Sequence, residues 1–573
     1  MRVVEKYYFF LAMITGILIG GFLRIYHIGS QIIWDDEWHG IYSAGFNNLK
    51  YIFTHFHLND NCIPLTIYYR IMLNSIGLNE IVIRLPQLLF GILILLIFPL
   101  IVKKLFNKRI ALIFLFLIAI SPLLIYFSRF ARPYSIVVFL SFISIISFYL
   151  WIIERKVIYV AIYLVGAILA PYFSLSSLAF VLAPVLYIVI ISLTKQRGLF
   201  LNGLKKFPRL KHIAIVFFIL TVGISAWLLP AAESFSEVIK KSGKGFVDIG
   251  TLGGCATLFS GSRSFIVCLI LLLLSVYGLF VLYGTNKLLL NYFCIICTSQ
   301  FFYIILPKPF LSQKSIIFTR YFLPCLPVYL LIISVALNEL SMRLKLFLQN
   351  KIKMVNAFSN LTLASLVLIL FLMGPIPDVY SFPNGFTNHK DFQYNYIYLD
   401  QILNRVERHK GLYPEFYANL THEDTDSKII EFPAILSWTW NIFHVYQRVH
   451  KKRVLIGYDS GSFGPFFGYA AFRNKKIGFN NFIDISDPKS LSGSGAKYIV
   501  IHKNIWKECA ALGLFTPENR HNMENRVSTL PVSLQEGLYK YVSREILKLK
   551  KVFGKAIYED NWIVVYKISN TVL

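Results

Sequence analysis

Eleven apolar runs govern what this chain can fold into. They cover residues 7–23, 81–102, 110–126, 135–153, 157–170, 172–193, 213–229, 264–284, 288–306, 321–338 and 357–374. A helix needs ~20 mostly apolar residues to cross the hydrocarbon layer of a bilayer, and these runs carry almost no charge at mid-length. The chain is 56% hydrophobic and 15% charged, against ~25% charged in a soluble globular protein. That excludes the soluble, the disordered and the disulfide-stapled classes. The expectation is an α-helical polytopic membrane protein with about eleven transmembrane helices. The first run has no small-residue cleavage site and leads into Phe22-Leu23-Arg24, so it is read as a retained span. Residues 157–193 are too long for one straight span and short for two, and Pro171 is where the reading divides them.

Charge orients the spans. The chain carries 57 Lys+Arg against 30 Asp+Glu, a net +27. With the N-terminus inside, the inside segments hold 19 Lys+Arg in 55 residues, whereas the outside loops 24–80, 127–134, 230–263 and 307–320 hold 12 in 113 residues. This follows the positive-inside rule. The expected location is the inner (plasma) membrane, with a cytoplasmic N-terminus and an extracytoplasmic tail. Basic residues that flank apolar runs point to membrane lipids as partners and not to nucleic acid.

Beyond Pro375 the character changes. "RVLIGY", "KYIVIH" and "WIVVYK" read as strands, while stretches near 392–409 and 535–551 read as helices. Two domains are expected: residues 1–374, including the first outer loop 24–80, and a soluble α/β domain at 375–573. The cysteines show no disulfide framework. Cys268, Cys294, Cys297 and Cys325 read as small buried hydrophobes, and Cys62, Cys255 and Cys509 as possible external thiols.

The outer loops hold the candidate chemistry. Trp34-Asp35-Asp36-Glu37-Trp38-His39 sets three consecutive acids between tryptophans. Acids beside a membrane are costly unless hydrated, paired or functional, and both a solvated loop and a functional site fit them. His55, His57 and Asp60 are potential ligands of a divalent metal or plain loop polars, so the cofactor stays open. Ser128-Arg129-Phe130-Ala131-Arg132-Pro133-Tyr134 and Arg320-Tyr321 put arginines at the outside ends of spans, against the charge bias. Headgroup snorkelling is one reading. The other is a phosphate clamp, because the guanidinium fork matches phosphate oxygens. There is no phosphate-binding Gly-rich loop, and the inside loops are too short for a nucleotide-binding domain, which argues against a nucleotide-driven pump.

Four segments together resemble the GT-C class of membrane glycosyltransferases, in the branch of protein O-mannosyltransferases and lipid A aminoarabinose transferases. They are "SQIIWDDEWHGIYSA", "IPLTIYYRIMLNSIGLNEIVIRLPQLLFG", "SRFARPYSI" and "TRYFLPCLPVYLL", in the family's order and over residues 1–374. Cys62-Ile63-Pro64-Leu65 stands where relatives often have His-Pro-Pro-Leu, and Ala170-Pro171 where they often have Thr-His.

The resemblance implies a GT-C fold and a sugar donor carried on polyprenyl phosphate. It implies Asp36 and Glu37 as catalytic carboxylates, with Asp36 as the base, and Arg132, Tyr134, Arg320 and Tyr321 around the donor phosphate. The acceptor would be an envelope glycan, a lipid or a protein. A transporter or flippase of a lipid-linked saccharide is the alternative, but it would need charged residues within spans.

Overall fold

The computed structural model describes residues 2–33, 35–56, 62–193, 210–235, 243, 245–309, 315–348, 355–380, 405–406, 408–433, 440–459, 478–512 and 532–568. They form two compact units. The first comprises Met1–Tyr26, His39–Ile71 and Ile83–Pro377; the second comprises His27–Trp38, Met72–Val82 and Asp378–Leu573.

The first unit is helical because long apolar runs leave the backbone no partner in lipid except itself. Among the described residues seven helices are long and apolar enough to span: Phe9–Ser30, Glu80–Leu105, Tyr134–Glu154, Lys211–Phe235, Phe265–Thr285, Lys287–Ile305 and Leu323–Phe347. Each of the other four expected spans falls on a helix that is broken or short. Lys108–Ile120 and Pro122–Ser128 bend by 60° at their junction, where Pro122 opens the second piece. Val157–Phe173, Leu175–Ile191 and Leu361–Leu372 are shorter apolar helices.

The break expected at Pro171 falls later. Pro171 lies inside the helix Val157–Phe173, and the chain leaves the helix at Ser174, which is extended with φ −157°. A proline in the last turn of a helix removes a single N–H, and the helix continues past it.

Two buried arginines hold helix ends. Arg24 Nη1 donates to Gly20 O at 2.9 Å and Ala119 O at 3.2 Å, and its Nη2 donates to Ile118 O at 3.0 Å. Arg129 Nη1 donates to Leu23 O at 3.2 Å, Arg24 O at 3.3 Å and Tyr26 O at 2.6 Å. The last carbonyls of a helix have no partner within it, and a cation there also complements the helix dipole. Arg129 is therefore a cap for the helix Arg2–Ile25.

The second unit is built on a six-stranded sheet. The strands are β1 (Lys428–Phe432), β2 (Arg453–Tyr458), β3 (Phe482–Asp484), β4 (Ala496–His502), β5 (Tyr558–Glu559) and β6 (Ile563–Lys567), in the order β3-β2-β1-β4-β6-β5. The pairs β3·β2, β2·β1 and β1·β4 are parallel, whereas β4·β6 and β6·β5 are antiparallel. The apolar runs of β2, β4 and β6 are those read from sequence. The helix expected near 535–551 is Val532–Phe553; most of the one expected near 392–409 lies outside the described residues.

Two pieces of the first outer loop belong to this unit. Glu80 accepts from Asn480 N, Asn481 N and Asn481 Nδ2 at 3.0, 2.9 and 3.1 Å. Trp38 packs edge-on against Phe479 and Phe482, with centroids 5.4 and 5.5 Å away.

Candidate active site

The turn from Arg129 to Pro133 links the helices Pro122–Ser128 and Tyr134–Glu154. Its backbone is pinned by Tyr69, whose hydroxyl lies 3.1 Å from Ala131 O and 3.2 Å from Ile83 O. Arg132 follows at once and is 1% exposed. Its Nη2 lies 3.2 Å from His39 Nδ1. Tyr134, the first residue of the next helix, is buried with its ring edge-on to Phe127 at 4.8 Å.

The second arginine reaches the same place from another helix. Arg320 lies near the end of Ser315–Tyr321, and its guanidinium carbon sits 5.8 Å from the Tyr134 ring centroid and 5.5 Å from that of Tyr321. Arg132, Tyr134, Arg320 and Tyr321 thus gather in one corner of the first unit. The aromatic faces attract the cation and limit how far the guanidinium can swing. The Arg320 fork held against ring faces, with the buried Arg132 close by in the chain at Tyr134, suits an anion with several oxygens, such as a phosphate.

Two side chains in this corner were not singled out from sequence. His39 is one. The other is Gln300, on the helix Lys287–Ile305. Gln300 is fully buried, and its Nε2 donates to Tyr321 O and Ser176 O, both at 2.7 Å. A glutamine in an apolar run was the signal available, since a buried amide must find partners.

The two carboxylates lie on the helix Asp35–Phe46, and Asp36 and Glu37 are both buried. Successive helical residues point ~100° apart, so the two carboxylates serve different directions. Asp36 and His39, three apart, share a helix face.

The metal set is not assembled by what is described. The His55 ring stacks on Tyr51 at 3.9 Å, and its Nδ1 is 2.8 Å from Thr54 Oγ1, so it packs on its own helix. His57 and Asp60 lie outside the described residues, and among the described residues no three His, Cys, Asp or Glu side chains group to hold a metal ion. Of the cysteines read as external thiols, Cys62 and Cys509 are buried and Cys255 is half-buried; Cys294 is exposed on the candidate span Lys287–Ile305, and Cys268, Cys297 and Cys325 are half-buried.

The second unit holds a polar constellation of its own. His502 Nε2 is 2.9 Å from Glu431 Oε2, and its Nδ1 is 2.9 Å from Glu508 Oε2. Tyr417 OH donates to both Glu431 oxygens at 3.1 Å, and Tyr446 OH to Glu508 Oε2 at 3.0 Å. Ionised carboxylates only accept, so both ring nitrogens must donate and the ring is an imidazolium. Burial by itself would lower the His502 pKa, but Glu508 and Glu431 push it up to about 10. Burial raises that of Glu431, while His502 and Tyr417 pull against it.

No protein-family profile and no curated protein matches the chain. Among solved structures it is similar to the oligosaccharyltransferase of Archaeoglobus fulgidus in its apo form, with 13% identity and a TM-score of 0.46, over 90% of this chain and 72% of that one. It is also similar to ArnT from Cupriavidus metallidurans bound to undecaprenyl phosphate, with 11% identity and a TM-score of 0.41, over 100% of this chain and 99% of that one.

Proposed function

We propose that this protein is an integral membrane glycosyltransferase that moves a sugar from a polyprenyl-phosphate donor to an envelope glycan, lipid or protein on the outer face of the membrane. One observation carries the reading: in a multi-span unit the Arg320 guanidinium lies over the ring of Tyr134, which follows the buried Arg132 by two residues. Such a corner suits the phosphate of a lipid carrier, which lies where lipid meets water.

In the proposed reaction the acceptor hydroxyl attacks the anomeric carbon and its proton passes to the Asp36 carboxylate. The new bond joins the acceptor oxygen to that carbon. The old carbon–oxygen bond breaks, and its electron pair leaves on the carrier phosphate, which Arg132 and Arg320 stabilise. The transition state has oxocarbenium character, as at other glycosidic centres. Glu37 holds the acceptor or the loop. Tyr134 and Tyr321 keep the Arg320 guanidinium in place. The proposed orientation has the N-terminus inside and residues 375–573 outside, so the tail shapes acceptor access and carries no proton-transfer residue.

Purified full-length protein in lipid nanodiscs, given undecaprenyl-phosphate-linked sugar and envelope extract, tests this. One carrier phosphate should be freed for each sugar that reaches acceptor. In proteoliposomes, movement of the intact lipid-linked saccharide between leaflets with no phosphate freed would contradict transfer and favour a flippase.

A further inference from the structure

The contact between Arg132 and His39 fixes a protonation state as well as a distance. Arg132 Nη2 lies 3.2 Å from His39 Nδ1. A guanidinium only donates and does not give up its proton, so Nδ1 must be the acceptor. A ring that accepts at Nδ1 is neutral and carries its proton on Nε2. Neither ring nitrogen is then open to take the proton of an acceptor hydroxyl, and the ring brings no positive charge of its own. What it supplies is an anchor for the tip of a long, buried side chain.

Both elements that meet at this contact are held by neighbouring residues of one helix, Ile63–Asn74. Tyr69 OH donates to Ala131 O at 3.1 Å, which fixes the backbone just before Arg132. Arg70 Nη1 donates to Ala44 O at 2.9 Å and Gly45 O at 3.3 Å, so it caps the helix Asp35–Phe46 on which His39 stands. The backbone of Arg132 and the helix that presents the His39 ring are thus fastened to the same support. An arginine has many rotamers, and one that meets its anion in a single rotamer binds more tightly when the fold has already selected it.

We propose that His39 is a positioning residue for the donor phosphate: its neutral ring, accepting at Nδ1, holds the Arg132 guanidinium in the orientation that receives the phosphate oxygens. This rests on the phosphate corner proposed above. The contact uses one N–H of a group that has five, so a fork remains for the phosphate. Because the donor is a cation, the bond is stronger than one between neutral groups. His39 therefore acts through Arg132 and not on the reacting atoms.

The test measures binding of bare undecaprenyl phosphate, and sugar transfer from an undecaprenyl-phosphate-linked sugar, by the full-length protein in nanodiscs. The variants are His39→Ala, His39→Asn and His39→Gln, each alone and combined with Arg132→Ala. His39→Ala should weaken carrier binding roughly tenfold, the scale of one hydrogen bond to a charged group, and raise the donor KM in step while kcat changes little. His39→Asn sets an amide oxygen near the place of Nδ1 and should recover most of the loss. His39→Gln sets its amide nearer the place of Nε2 and should recover little. On the Arg132→Ala background none of the three should weaken binding further, since each acts through the arginine that is gone.

If His39→Ala does not fold, the contrast between His39→Asn and His39→Gln, which differ by one methylene, carries the test. Three results would overturn the proposal while leaving the phosphate corner standing: His39→Asn binding carrier no better than His39→Gln, losses that add in full to that of Arg132→Ala, or a fall in kcat with the donor KM unchanged. Arg132→Ala binding bare carrier as well as wild type does would instead overturn the phosphate corner, and the role of His39 with it.

Discussion

Two buried polar clusters in this molecule use charge in opposite ways. Around His502 every strong donor meets an acceptor: one imidazolium lies between two carboxylates, and each carboxylate also takes a tyrosine hydroxyl. Around Tyr134 one guanidinium, that of Arg320, lies over two aromatic rings, and the buried Gln300 Oε1 has no donor among the described residues. The first arrangement closes its charges on one another, with Glu508 Oε1 left without a hydrogen-bond partner among the described residues. The second sets the Arg320 cation over aromatic faces, and under the proposed function it meets the donor phosphate. Burial and charge alone, therefore, do not mark a functional site.

Breaking the closed cluster should give the largest change in stability. His502→Leu leaves Glu431 and Glu508 buried without their cation, and removing one partner of a buried ion pair costs ~3–5 kcal/mol. Unfolding of the tail unit, followed by hydrogen exchange in the full-length protein, reads this. The same measurement against pH has a fixed sign. The His502 pKa is raised from 6.5 to about 10, so its stabilising contribution is complete below 6.5 and is lost as pH rises through about 10. The His502→Leu variant should lack that decline. A wild-type tail equally stable at pH 6 and pH 10 would contradict the imidazolium.

The corner should respond in ligand binding. Arg132→Ala should weaken donor binding by ~2–5 kcal/mol, the usual cost of truncating one side of a buried charge-assisted contact. Lysine there should recover only part, since it lacks the fork. Unchanged titrations of Arg132→Ala with undecaprenyl phosphate would remove it from the site.

Arg129, only three residues earlier, sharpens the contrast. Arg129→Gln should cost ~1–3 kcal/mol of stability through carbonyls left unpaired, as melting of the purified protein would register, with donor affinity unchanged. A loss of affinity equal to that of Arg132→Ala would erase the distinction between cap and ligand. Asp35→Asn should have the smallest effect, within about ±0.5 kcal/mol in stability and with transfer close to wild type.

The sequence disclosed the membrane unit readily, because apolar runs of spanning length admit few structures. The strands of β2, β4 and β6 were also legible as short β-branched runs between polar segments. β1 was not, since Glu431 interrupts its apolar pattern and makes sense only once His502, 71 residues later, lies beside it. The two arginines at 129 and 132 look alike in a sequence, both being outer span-end cations. Only the carbonyls around Arg129 reveal it as a cap. Gln300 and His39 escaped notice for a related reason: each takes its meaning from remote segments, through Tyr321 and Ser176 in one case and Arg132 in the other.

In the proposed reaction the first outer loop supplies the base and the tail does not. Sugar transfer from a polyprenyl-phosphate donor by purified Asp36→Asn, beside Asp35→Asn and Glu37→Gln, tests this. Asp36→Asn should lose ~10²–10⁴-fold in rate, as for removal of a general base, while donor binding and folding stay intact. Glu37→Gln should be intermediate and Asp35→Asn mild. Transfer that survives Asp36→Asn but stops with Asp35→Asn, or with any single carboxylate of the tail, would contradict it.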